Sequence, residues 1–162
     1  YVETDNYKTI AAACIAYGQT LVAQSPIDVN LAKQTNILLT DMNFPADKII
    51  IDPLTGTLGY GLENTYSIME RIRADGLSGD KMLAFPMLVT PGYESFNVKE
   101  ARAPEEEYPD WGDLADRGSY WETATAVSLL LSGAELLILY HPKSVKIVKD
   151  KIAEFFTIEG RD

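Results

Sequence analysis

The sequence predicts an α/β protein built from parallel βα units. Short, β-branched apolar runs alternate with longer amphipathic stretches four times along 162 residues, the pattern of a parallel sheet with helices packed on it. The clearest run, residues 48–51, is continuously apolar after Lys48, as strands buried on both faces are. Four units make half of an eight-unit barrel, and a whole barrel usually needs at least about 200 residues. A doubly wound sheet fits the same alternation. No repeat of 20–50 residues and no low-complexity linker interrupts the chain, so residues 1–162 read as one partial domain.

Residues 7–17 are alanine-rich and read as a helix stopped by Gly18, with no recognisable strand before it. Residues 20–24 form the first strand. Asp28 suits the N-cap of the next helix, in which Ala32, Thr35, Leu39 and Met42 share a face before Pro45 ends it. Residues 48–51 are the second strand. A glycine-rich loop, 52–61, leads into a helix over 62–74 closed by Gly76, with Leu62, Tyr66, Met69 and Arg73 in one row and Ile68 and Ile72 beside it. Residues 82–89 hold the third strand, interrupted by Pro86. Residues 91–118 read as irregular and acidic, with one short helix near 98–102. A strong helix covers 120–132, the fourth strand 136–140, and Pro142 opens a last helix with Val145, Val148, Ile152 and Phe155 as its apolar stripe. Residues 157–162 are expected to be a disordered tail, and Ile158-Glu159-Gly160-Arg161 matches a protease site used in expression work.

The chain carries 24 acidic and 14 basic residues, a formal charge of −10. Nucleic acid and anionic membrane surfaces both select Lys/Arg-rich faces, so neither is an expected partner. No apolar run reaches the roughly 18 residues of a membrane span. Cys14, the single cysteine, reads as a buried small hydrophobe in a reducing, cytoplasmic compartment.

In parallel α/β folds chemistry gathers at the C-terminal ends of the strands. There the sequence places Asp28 and Asn30, the loop with Asp52, Thr55, Gly56, Gly59, Tyr60 and Gly61, and the lone histidine, His141. The glycines let backbone approach a ligand or adopt positive φ, and the loop runs into a helix N-terminus that attracts acceptor atoms. Its G-x-x-G-x-G order is not a dinucleotide fingerprint. A tight turn explains the same glycines. His141 can act as a base or axial ligand, or simply start a helix with Pro142. Asp28, Asp52 and Glu94 can serve as acid or base, or as caps and loop solvation. The acidic run 105–107 reads as a solvated loop. Trp111, Trp121, Tyr108 and Tyr120 can cover a flat ring or a partner surface, with Trp121 expected in the core.

The stretch from Asp52-Pro53-Leu54-Thr55-Gly56 through Gly59-Tyr60-Gly61-Leu62-Glu63, with Tyr66-Ser67-Ile68-Met69-Glu70-Arg71-Ile72-Arg73 after it, resembles a known family. Pro26-Ile27-Asp28-Val29-Asn30, Trp111-Gly112-Asp113, Arg117-Gly118, Trp121-Glu122, Ser132-Gly133-Ala134 and His141-Pro142 agree with it. The family is the delta (small) subunit of the corrinoid iron–sulfur protein in acetyl-CoA decarbonylase/synthase complexes. The resemblance implies the C-terminal half of a TIM barrel, with the N-terminal half missing. It implies a corrinoid (cobalamin) shared with a large (gamma) subunit, and no iron–sulfur cluster in this chain. The residues expected to face the corrinoid are Asp28, Asn30, Asp52, Thr55, Gly56, Gly59, Tyr60, Gly61 and His141, none of them catalytic. The implied role is to shield and position the corrinoid while a methyl group passes from a methyl-tetrahydropterin or folate to acetyl-CoA synthase, with a methyltransferase as a further partner. A pterin- or folate-binding methyltransferase barrel, using Asp28, Asn30 and Asp52, and a purely structural interaction module are the alternatives.

Overall fold

Alanine-rich residues make α1 (Tyr7–Tyr17), which Gly18 stops at φ 66° by donating its N–H back to Ile15. This is a computed structural model, and it describes residues 1–157; the expected tail lies outside the described residues from Ile158 onward, as does the protease-like motif. Strand β1 (Leu21–Gln24) follows, then α2 (Val29–Asp41), capped by Asp28 through bonds from the N–H groups of Asn30 at 2.8 Å and Leu31 at 3.0 Å. Ala32, Thr35 and Leu39 are buried on α2, as their spacing predicts; Met42 stands just past its end and is half-buried.

After β2 (Ile49–Asp52) comes α3 (Leu62–Leu77). Met69 and Ile72 are buried as their spacing predicts, joined by Thr65, while Tyr66 of the expected row is exposed. Gly76 does not close this helix but lies in its last turn. A Cβ there would sit 2.7 Å from the Leu83 carbonyl oxygen, so close approach explains that glycine. Strand β3 (Leu88–Val89) is shorter than expected, because Pro86 has no N–H to donate. The segment expected to be irregular holds α4 (Pro91–Ser95) and α5 (Lys99–Arg102), and α6 (Leu114–Leu131) begins six residues before its expected start. Strand β4 (Leu136–Leu137) and α7 (Pro142–Phe156) complete the described chain.

The four strands run parallel in sequential order. β1 pairs with β2 in the register Leu21↔Ile49 to Gln24↔Asp52, and β3 with β4 at Leu88↔Leu136 and Val89↔Leu137. A parallel bridge between Ile51 and Met87 joins the two pairs. Val2, fully buried, bridges Ala23 in parallel, so an extended segment does precede α1, contrary to the sequence expectation. One apolar residue inside two backbone bonds is too short a run to stand out in sequence.

Side chains alternate across the strands. Ile51, Met87 and Val89 bury into one core with Val29, Met69 and Leu129, while Leu21, Ala23 and Ile49 bury into a second with Leu39 and Phe44. The opposite face carries Val22, Ile50, Leu88, Leu136 and Ile138, none of them buried. Leu136 and Ile138 are each 42% exposed. No described helix is long and apolar enough to cross a membrane.

Candidate functional site

The uncovered face of the sheet ends, at the C-terminal edge, in polar residues. The register sets Gln24 beside Asp52, and these two with Thr90, Glu94, Tyr93 and Tyr140 line a cleft of about 330 Å³. Asp52 is 2% exposed. Its Oδ1 accepts the Leu54 N–H at 2.8 Å, and Oδ2 has no bond among the described residues. Burial pushes its pKa up to about 6, against the opposing pull of the Leu54 bond. Glu94 is also pushed above the ordinary carboxylate range by burial.

The loops around the cleft are tied together beneath it. The Thr55 hydroxyl, expected to face a ligand, is instead fully buried and accepts the Thr90 N–H at 2.9 Å. Ser25 donates its N–H to the Asp52 carbonyl and Ile27 to that of Pro53. In the glycine loop Gly59 has φ 84° and Gly61 φ 147°, the positive φ their type predicts. A Cβ at Gly61 would lie 2.7 Å from Asn64 Nδ2. Gly56 has ordinary φ and exchanges bonds with the Thr65 hydroxyl. Three non-glycine residues at this same edge also have positive φ: Ile27 (49°), Leu54 (68°) and Thr57 (59°). For β-branched Ile27 and Thr57 that conformation is strained, and such strain clusters at ligand sites.

Tyr60 stands 83% exposed at the loop tip. A second groove, about 320 Å³, runs between this loop and the α4–α5 segment, lined by Gly59, Tyr60, Glu94, Asn97, Lys99 and Glu100. Asp28 and Asn30 do not line either concavity; Asp28 is spent on capping α2, and Asn30 is exposed in its first turn. His141 lies beside the cleft rather than in it. Its Nδ1 accepts the Lys143 N–H at 3.2 Å as the N-cap of α7, and its ring stacks on Phe96 with centroids 6.4 Å apart. Among the described residues no group of three His, Cys, Asp or Glu side chains could hold a metal.

Glu122, Arg117 and Gly118, legible in the sequence only as motif residues without a role, hold this edge in shape. Glu122, 0% exposed on α6, accepts the N–H of Tyr140 and, at 3.1 Å, that of His141. Its signal was a lone carboxylate inside an apolar helical run. Buried Arg117 donates Nε, Nη1 and Nη2 to the carbonyls of Gly112, Ala103 and Tyr108, gathering the acidic segment. Gly118 admits the Phe96 ring, since a Cβ there would lie 2.4 Å from its edge.

Gly59→Val should lower the unfolding free energy by about 1–2 kcal/mol, because a β-branched residue is forced to positive φ. Gly59→Asn should cost less than half of that. Urea unfolding of both, beside a change at exposed Lys149, checks this; equal effects at Gly59 and Lys149 would refute the strained loop.

The model of the CO dehydrogenase/acetyl-CoA synthase delta subunit family matches residues 2–149. The chain is 38% identical over 147 residues to acetyl-CoA decarbonylase/synthase complex subunit delta 2 of Methanosarcina acetivorans, covering 89% of this chain and 34% of that protein. To subunit delta of Archaeoglobus fulgidus it is 36% identical over 160 residues, 96% of this chain and 34% of the relative. The Methanopyrus kandleri subunit delta is 33% identical over 159 residues, 98% of this chain and 38% of the relative. The chain thus spans about a third of the length of these relatives. It covers nearly all of the matched region with the parallel βα units described above, and it belongs to the CO dehydrogenase/acetyl-CoA synthase delta subunit family.

Proposed function

We propose that this chain is part of a non-catalytic subunit of a corrinoid methyl carrier, and that its strand-end face covers a corrinoid held chiefly by a large partner subunit. The observation that supports the reading is the open, tyrosine-rimmed edge around buried Asp52, formed where parallel strands end. The uncovered sheet face with Val22, Ile50, Leu88, Leu136 and Ile138 fits the inner wall of a half TIM barrel, which the rest of a longer chain completes.

A corrinoid exceeds a drug-sized ligand, and pockets for the latter span roughly 300–1,000 Å³. A cleft of about 330 Å³ therefore fits one wall of a corrinoid site and not an enclosing one. His141 Nδ1 accepts a backbone N–H and its ring lies beside the cleft, and in this reading the chain covers the corrinoid rather than ligating it. A bound corrinoid would supply the cobalt that carries the methyl group. Tyr93 and Tyr140 lie exposed at the rim to exclude water from it, with Tyr60 on the neighbouring groove, and Asp52 and Gln24 offer acceptor and amide groups to its polar edge. The methyl donor is a methyl-tetrahydropterin or folate and the acceptor acetyl-CoA synthase, in the cytoplasm.

The test is gel filtration of the full-length subunit with cobalamin. Alone it should elute colourless; with the large subunit the cobalt spectrum should co-elute. A tight one-to-one complex with the subunit alone would overturn the shared site. The cleft of about 330 Å³, with a buried carboxyl beside an amide and tyrosines around them, also favours a second reading, a pterin or folate site. Saturable binding of methyl-tetrahydrofolate by the subunit, lost in Asp52→Asn, would select it.

A further inference from the structure

The cleft at the strand ends holds two carboxylates, Asp52 and Glu94, and among the described residues no Lys or Arg side chain lines it. Asp52 and Glu122 are the buried carboxylates of the described chain, and they are used differently. Glu122 gives both oxygens to backbone N–H groups, whereas Asp52 gives one and leaves Oδ2 free. That oxygen opens into the cleft; the side-chain oxygens sealed away without a partner are those of Ser25, Asn36, Ser95 and Thr123. Glu94 makes no ion pair among the described residues, while Asp80, Asp116, Glu135 and Glu154 each have one. The register sets Gln24 beside Asp52, so its amide oxygen is a further acceptor at the same edge.

This lining selects a cation with N–H donors. Burial holds both carboxyls above their ordinary range, and no Lys or Arg offsets it. The α-ammonium of Tyr1, the weakest of three influences on Asp52, already lowers its pKa, the direction in which a bound cation acts. The rings at the rim are free to take one. The chain's own cations lie over Tyr7, Tyr108, Trp111 and Tyr120, and none lies over Tyr93 or Tyr140, each 58% exposed. Leu54 and Ile138 add apolar wall. We infer that the cleft binds a primary alkylammonium group, with its N–H donors on Asp52 Oδ2, Glu94 and the Gln24 amide oxygen and its alkyl stem along Leu54, Ile138 and the tyrosines. One free oxygen on Asp52 suits the rotatable donors of an ammonium better than the fixed fork of a guanidinium. A free amine and a lysine side chain of a partner share this chemistry. The inference goes beyond the corrinoid reading: the ammonium sits on the buried floor and leaves the tyrosine rim to cover a ring. Its probe contains no corrinoid, so its failure leaves that reading standing.

The probe is n-butylammonium chloride, titrated into the full-length subunit at neutral pH and constant ionic strength while the ring resonances of Tyr93 and Tyr140 are followed. Both should move and saturate in the millimolar range. 1-Butanol, close in shape but neutral, should bind about tenfold more weakly, and so should tetramethylammonium, a cation without N–H donors. Asp52→Asn keeps the fold at neutral pH and should weaken butylammonium binding about tenfold, with a smaller loss in Glu94→Gln. A lysine capped as its acetyl methylamide separates the two sources: binding as tight as that of butylammonium assigns the site to a partner's side chain, and exclusion assigns it to a free amine. Equal affinity for butanol or tetramethylammonium, unchanged affinity in Asp52→Asn, or no saturation by butylammonium would each overturn the inference.

Discussion

Replacing Glu122 by alanine is expected to lower the unfolding free energy by about 2–6 kcal/mol, the sum for two buried backbone donors left without an acceptor. The side chain is fully buried, and its two oxygens accept the N–H groups of Tyr140 and His141, where the chain leaves β4 and enters α7. Alanine leaves both donors without partners, and each unmade bond of this kind costs about 1–3 kcal/mol. It also removes a negative charge from the N-terminus of α7, where it opposes the helix dipole favourably. Glutamine keeps one acceptor but turns an NH2 toward the other donor, so Glu122→Gln should lose about half as much. Chemical unfolding gives the energies, and hydrogen exchange at the Tyr140 and His141 amides locates the effect. A loss below about 1 kcal/mol in the alanine variant, with both amides still protected, would show that Glu122 does not hold this corner.

The same corner shows which parts of the fold were legible in the sequence. The elements with strong periodicity or punctuation were readable: α1 with Gly18, α2 with Asp28, β2 from its isoleucines, and α7 from Pro142. Elements fixed by distant contacts were not. Val2 becomes a strand residue only because Val22 and Gln24 bond to it. The β3 segment shortens because Met87 gives its N–H to the Glu135 carboxylate at 2.8 Å instead of to a strand. Helix α6 extends back to Leu114 because Arg117 anchors its first turns to carbonyls across the acidic segment. At the site, composition found the glycine loop and Asp52. It could not separate Thr55, which staples two loops from beneath, from Tyr60, which stands in solvent. Nor could it show that Gln24, Thr90 and Tyr140, far apart in sequence, converge on one cleft. That convergence follows from strand register, which no local pattern carries.

Asp52→Asn is expected to stabilise the protein at neutral pH and to leave it nearly unchanged at pH 4. The carboxyl is pushed from an ordinary 3.8 to about 6 in the folded state because burial penalises its charged form. Below the unfolded value both states hold the proton and Asp52 costs nothing. As pH rises from 3.8 to about 6 the unfolded chain releases its proton first, so stability falls across that window and then levels off. A shift of this size corresponds to about 3 kcal/mol, at 1.36 kcal/mol per pKa unit. Asparagine keeps the oxygen that accepts the Leu54 N–H and carries no charge at any pH, so the variant should lack the decline. The difference in unfolding free energy between variant and parent should therefore grow from near zero at pH 4 to about 2–3 kcal/mol at pH 7.5. A difference that stays flat over that range would mean that Asp52 is solvated or paired when charged. Ligand occupancy of the cleft is visible in the same assay. A bound group that donates to the carboxylate lowers its pKa and stabilises the parent above pH 6, while the asparagine variant gains little from it.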